Sequence, residues 1–279
     1  ISIFLSYTLV KTWNTNGDGP VRALLRNNIV PPALIGLAAW SLFVLAPSYN
    51  EETYVFEEKS IAALRAKAEQ GDAESQYWLG FLYGEGDGVQ KDLAESLKWT
   101  KLAAEQGHAK AQYNLAWFYD KGEIVPEDIP EAMRWLRLAS QQGLAEAMDI
   151  LGDIYDIGRD VEEDNREAVK WYRAAAELGY AKAQANLADM YQNGEGVELD
   201  YQEALKWNRR AAEQGDMYGQ HNLAHMYYFG HGISKDYQIA FRCTKLAAGQ
   251  GLAAAQYNLG LMYDNGQGVP KDVKEAVKW

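Results

Sequence analysis

Three of the four histidines fall close together: His221 and His225 at i,i+4 spacing, then His231. On a helix the first two share one face, and three imidazoles make a ligand set that suits zinc. Asn222, Leu223 and Ala224 separate the helical pair, so the glutamate of a His-Glu-x-x-His zinc protease is absent. His221, His225 and His231 therefore stand as metal candidates only in an alternative reading, and the leading one places the helical pair on a binding surface. Cys243 is the only cysteine, which rules out an intrachain disulfide and a Cys-rich metal site. Asp156, Asp160, Glu162, Glu163 and Asp164 cluster at loop spacing but lack the EF-hand pattern. No phosphate loop, nucleophile elbow or paired catalytic carboxylates occur. The expectation is a chain that is not an enzyme and needs no cofactor.

Composition narrows the partner. With 39 acidic against 27 basic residues the net charge is -12, the wrong sign for a surface that neutralises a phosphate backbone. Nucleic acid is not expected.

The elements that position these residues recur. The segment Gln76 to Tyr83 returns every 36 residues, at Gln112, Met148, Gln184, Gln220 and Gln256, without an insertion. Units of 73–108, 109–144, 145–180, 181–216 and 217–252 follow, with a truncated sixth at 253–279. Numbering each unit from its first residue, positions 3, 4, 7, 8, 10 and 11 form one stripe, apolar or small apart from the recurrent Gln at 4, as in Ala111, Gln112, Leu115, Ala116, Phe118 and Tyr119. That is the stripe of an amphipathic helix, helix A. Glycine at position 14 fits a turn with positive φ, and Asp at position 20 fits the cap of a second helix, B. Helix B carries Ala at 24, Trp at 27 and Ala at 31. Cys243 stands at a Trp position, where it reads as a buried small apolar residue. Glu at 23, Lys or Arg at 26 and a base at 29 predict a solvated outer face. Residues 54–72 hold Ala68-Glu-Gln-Gly71, matching Ala104-Glu-Gln-Gly107, and predict a capping helix. The fold class is all-α, a solenoid whose units bury apolar surface only against neighbours.

Leu79-Gly-Phe-Leu-Tyr83 matches the tetratricopeptide core, but the period is longer than the 34 residues of that repeat. With Gly-x-Gly-Val at Gly86 to Val89, Gly194 to Val197 and Gly266 to Val269, residues 54–279 resemble the Sel1-like repeat family. The resemblance implies a right-handed α-solenoid serving as a scaffold or adaptor. Positions 2, 5, 9, 12 and 13 of helix A would line its concave groove. They hold Tyr77, Phe81, Tyr113 and Trp117 in the first two units, Asp149, Asp153, Asp156 and Asp189 in the next two, and His221, His225 and Tyr228 in the fifth. An aromatic patch running into an acidic one predicts a protein or peptide partner with apolar residues beside Lys or Arg.

Residues 29–46 are uncharged and predict a transmembrane helix, preceded by a basic loop at 11–28 and followed by a linker at 47–53. Residues 1–10 are the expected end of an earlier span. Lys11, Arg22 and Arg26 precede the run, whereas Lys59 follows among Glu51, Glu52, Glu57 and Glu58. This charge bias predicts an anchor with the repeats outside the cytoplasm, in the periplasm if the membrane is a bacterial inner membrane. The reading is a membrane-anchored, noncatalytic scaffold. The alternatives are a metal- or ligand-binding receptor centred on the fifth unit and the partner-binding arm of a larger membrane enzyme.

Overall fold

The computed structural model describes residues 58–279, and every regular element among them is a helix. Helix α1 (Glu58–Glu69) precedes six hairpins. These are α2 (Ala73–Glu85) with α3 (Leu93–Glu105), α4 (Ala109–Lys121) with α5 (Ile129–Gln141), α6 (Ala145–Ile157) with α7 (Asn165–Glu177), and α8 (Ala181–Asn193) with α9 (Tyr201–Glu213). The last two are α10 (Met217–Phe229) with α11 (Tyr237–Gly249) and α12 (Ala253–Asn265) with the four-residue α13 (Val273–Ala276). Each helix packs chiefly on the helices before and after it in the chain, the pattern of a solenoid. The expected spans at 1–10 and 29–46, the loop at 11–28, the linker at 47–53 and the first residues of the capping segment lie outside the described residues. Among the described residues no helix is long and apolar enough to cross a membrane.

The hairpin boundaries follow from local chemistry. Asp92, Asp128, Asp164, Asp200, Asp236 and Asp272 each accept a backbone N–H from the first turn of a helix B, satisfying donors that have no intrahelical partner. The glycine after each helix A adopts φ between 64° and 80°, a left-handed conformation that side chains with a Cβ resist. Between hairpin arms the core is small and regular. Leu79, Leu115, Leu151, Leu187 and Leu259 have no exposed surface, whereas Leu223 in the fifth unit retains 9%. Trp99, Trp135 and Trp207 are buried, but Trp171 is half-buried beside the buried Tyr172.

Adjacent units are stitched by polar bonds at fixed positions. Gln76, Gln112 and Gln184 are buried at position 4, each donating Nε2 to a carbonyl of the preceding helix B: Ala68 at 3.0 Å, Ala104 at 3.2 Å and Ala176 at 3.1 Å. The Oε1 of each accepts from the Gln at position 34: Gln106 at 2.7 Å, Gln142 at 2.8 Å and Gln214 at 2.9 Å. The third unit has Met148 and Leu178 at these two places. Both partners are replaced together, so no buried amide is left unpaired. Position 29 also reaches across units, with Arg137, Arg173 and Arg209 donating to the hydroxyls of Tyr155, Tyr191 and Tyr227. The exposed outer face carries the i,i+3 pairs Glu95–Lys98, Glu131–Arg134, Glu167–Lys170 and Glu203–Lys206.

Candidate partner-binding groove

Successive helices A lie side by side, and the position within the helix decides which side chains stay open. Position 9 faces outward in units one, two and four, where Phe81 and Trp117 are 39% and 41% exposed and Asp189 is open to solvent, whereas Asp153 and His225 at the same position are half-buried. Position 5 instead sits at the seam with the next helix A. Tyr77 is consequently buried, its ring stacked on His108 at 4.5 Å, and belongs to the core. Tyr113 is half-buried against the same core. Asp149 is 1% exposed. Tyr77 and Asp149 are therefore not groove-lining residues, because the following unit covers them.

At the first two units α2, α3 and α4 enclose a cleft of about 460 Å³ lined by Phe81, Glu85, Lys91, Tyr113, Trp117 and Glu123. It has two open rings and both charge signs at its rim, so it can take an apolar side chain with a polar neighbour.

The acidic stretch is more selective than its composition suggests. Lys182 of α8 reaches back to Asp149 at 2.7 Å and Asp153 at 2.9 Å, and Asn186 donates to the same pair at 3.0 and 3.4 Å. Tyr172 donates its hydroxyl to Asp153 at 2.8 Å and lies 3.5 Å from Asp156. A Cβ on Gly152 would come within 2.5 Å of the Tyr172 ring, so glycine there is what admits the tyrosine. Burial raises the Asp149 carboxyl to about 6 against the opposing pull of Lys182, and the Lys182 ammonium is held above its ordinary range by the two carboxylates despite its own burial. Asp149 and Asp153 thus form an internal staple between units three and four.

Asp156 and Asp189 remain. Both are raised first by desolvation and then by Glu195, and Asp189 also by Asp156. Asp189 touches solvent yet is walled by protein, which accounts for desolvation at an exposed side chain. These three carboxylates are the part of the acidic patch that can meet a cation.

At the fifth unit a pocket of about 150 Å³ opens between α10 and α12, lined by His221, His225, Tyr228, Phe229, Leu261 and Met262 among others. Tyr228 donates to Gln267 Oε1 at 2.8 Å. Burial lowers both His221 and His225, and the latter is lowered further by His231 and His221. His231 stacks on Tyr201 at 4.8 Å and meets His225 at 5.5 Å, edge to face. Among the described residues no three His, Cys, Asp or Glu are grouped to hold a metal ion, so His221, His225 and His231 do not form a three-ligand centre. Cys243 is half-buried with its thiol raised by desolvation, the opposite of what an attacking thiolate needs.

The family model of the Sel1 repeat matches six segments, residues 73–108, 109–144, 145–180, 181–216, 218–252 and 253–279. The chain belongs to the Sel1 repeat family. Its solenoid is similar to a Sel1 repeat protein from Oxalobacter formigenes, at 34% identity and a TM-score of 0.74 over 80% of this chain and 89% of that one. It is also similar to c5321, described as a protective antigen of uropathogenic Escherichia coli with an SLR fold, at 38% identity and a TM-score of 0.71. That match covers 77% of this chain but 46% of c5321, so the present chain spans about half that relative's length. No curated protein matches. A Sel1 solenoid is in general a noncatalytic protein-interaction fold.

Lys182, Tyr172 and Glu195 escaped the sequence reading, as did the buried glutamines' role. The Gln pairing had a visible signal in the Sel1 units, since positions 4 and 34 are both Gln or, in unit three, both apolar. Lys182 had none, because its partners lie one unit away and the distance exists only after stacking.

Proposed function

We propose that this protein is a membrane-anchored, noncatalytic Sel1 scaffold that holds a protein or peptide along the face of its helices A. The observations that carry the reading are the cleft of the first two units, with Phe81 and Trp117 open to solvent, and uncompensated Asp156, Asp189 and Glu195 on units three and four of the same array. Rigid aromatic rings supply area at small entropic cost, and carboxylates fix register against Lys or Arg. The partner is accordingly a segment with an aromatic or aliphatic anchor followed by basic residues. The apolar run at 29–46 supplies the anchor, and the charges around it favour repeats outside the cytoplasm.

A peptide library selected on the full chain in detergent tests this. Enriched sequences should combine an apolar anchor with Lys or Arg, and Trp117→Ala should weaken the best of them while leaving the melting temperature almost unchanged. Trp207→Ala should instead unfold the array, since removing a buried aromatic costs about 3–5 kcal/mol. Binders indifferent to both Trp117→Ala and a Asp156→Asn, Asp189→Asn pair would refute the groove.

A further inference from the structure

The fifth unit departs most from its sisters, and its pocket has an unusual donor set. His221 and His225 line it from one face of α10, and Met262 lines it from α12. The Nδ1 atoms of both histidines are buried without a hydrogen-bond partner, a cost that a folded protein rarely leaves standing. The other polar side chains around the pocket, Tyr228, Thr244, Asn258 and Gln267, are uncharged. The pocket is therefore lined by two imidazole side chains and one thioether side chain, and by no carboxylate.

That combination selects for charge and softness. A dication would enter with two positive charges and no anionic ligand to offset its lost hydration. A singly charged soft ion loses less, and thioether with imidazole is the ligand type that suits copper in its lower oxidation state. We propose that His221, His225 and Met262 form a Cu(I) site between the fifth and sixth units. Thioether sulfur completes a set that the histidines alone do not make. An ion there would cross-link α10 to α12, at the unit where the buried Trp is missing. The site stands independently of peptide capture at the first two units.

The test is competition for Cu(I) against bicinchoninate, under reductant and without oxygen, using the full chain in detergent. Wild type should withdraw one equivalent from the coloured chelate. His225→Phe and the near-isosteric Met262→Leu should each weaken binding by at least about tenfold, the scale on which metal sites respond to lost support. Circular dichroism checks that each variant is folded, and Met262→Leu decides the matter if His225→Phe is not. Cys243→Ser should leave binding intact, and equimolar Zn²⁺ should not displace the copper. The proposal falls if wild type withdraws no copper, if Cys243→Ser abolishes binding, or if Zn²⁺ displaces it while Met262→Leu is silent.

Discussion

Lys182 joins Asp149, which is almost wholly buried, to Asp153, which is not. One ammonium therefore compensates a carboxylate that could not otherwise stay charged beneath α8. Because the folded Asp149 carboxyl titrates near 6, above its ordinary 3.8, the folded state binds the extra proton. Its contribution to stability is thus greatest in acid and declines as pH rises through 6. Replacing Lys182 by Met removes the cation and leaves the carboxylate unpaired. The expected loss is about 3 kcal/mol at pH 8, at the low end for breaking a buried pair because Lys182 is partly exposed. The loss should shrink toward pH 5, where Asp149 is protonated with or without the lysine. Urea melts of wild type and Lys182→Met at both pH values check this, and a loss equal at the two would show that Asp149 is not the group concerned.

Among the hairpins, the fifth is built with less. Cys243 replaces a Trp that is 5–7% exposed in three other units, and Leu223 keeps some surface where its counterparts keep none. Fewer buried contacts mean a lower local opening free energy. Amides of α11 around Cys243 should exchange faster than those of α5, α7 and α9, measured by hydrogen exchange on the full chain. Equal protection in all four helices would remove the soft unit. The histidines add a pH dependence of known sign. Their folded values lie below the ordinary 6.5, so the stability they allow is present above pH 6.5 and is lost as pH falls.

For the whole molecule, nearest-neighbour packing makes stability and binding surface two outputs of one repeat: the seams hold the array, and what projects between them is free to contact a partner. The charge distribution makes a further prediction about placement. Lys11, Arg22 and Arg26 on one side of the 29–46 run, against an acid-rich segment on the other, predict repeats outside the cytoplasm. Alkaline phosphatase fused after Asp72 should then be active in a bacterial host. An inactive fusion with an active cytoplasmic reporter at the same point would reverse the orientation.

Period, helix boundaries and caps were legible in the residues alone, because they are set within a few positions along the chain: an Asp side chain reaches its own helix's first amides, and a glycine supplies its own positive φ. The core leucines and the buried Trp of most units followed from the same local periodicity. The division of the groove did not. Whether position 5 is covered depends on how closely the next helix A stacks, which buried Tyr77 and Asp149 while leaving Phe81 and Trp117 open. The acidic patch likewise looked continuous until stacking brought Lys182 and Asn186 within about 3 Å of residues more than 28 positions earlier. Sequence therefore determined the repeating unit, and only the tertiary packing decided which of its polar groups are consumed in holding units together and which remain for a partner.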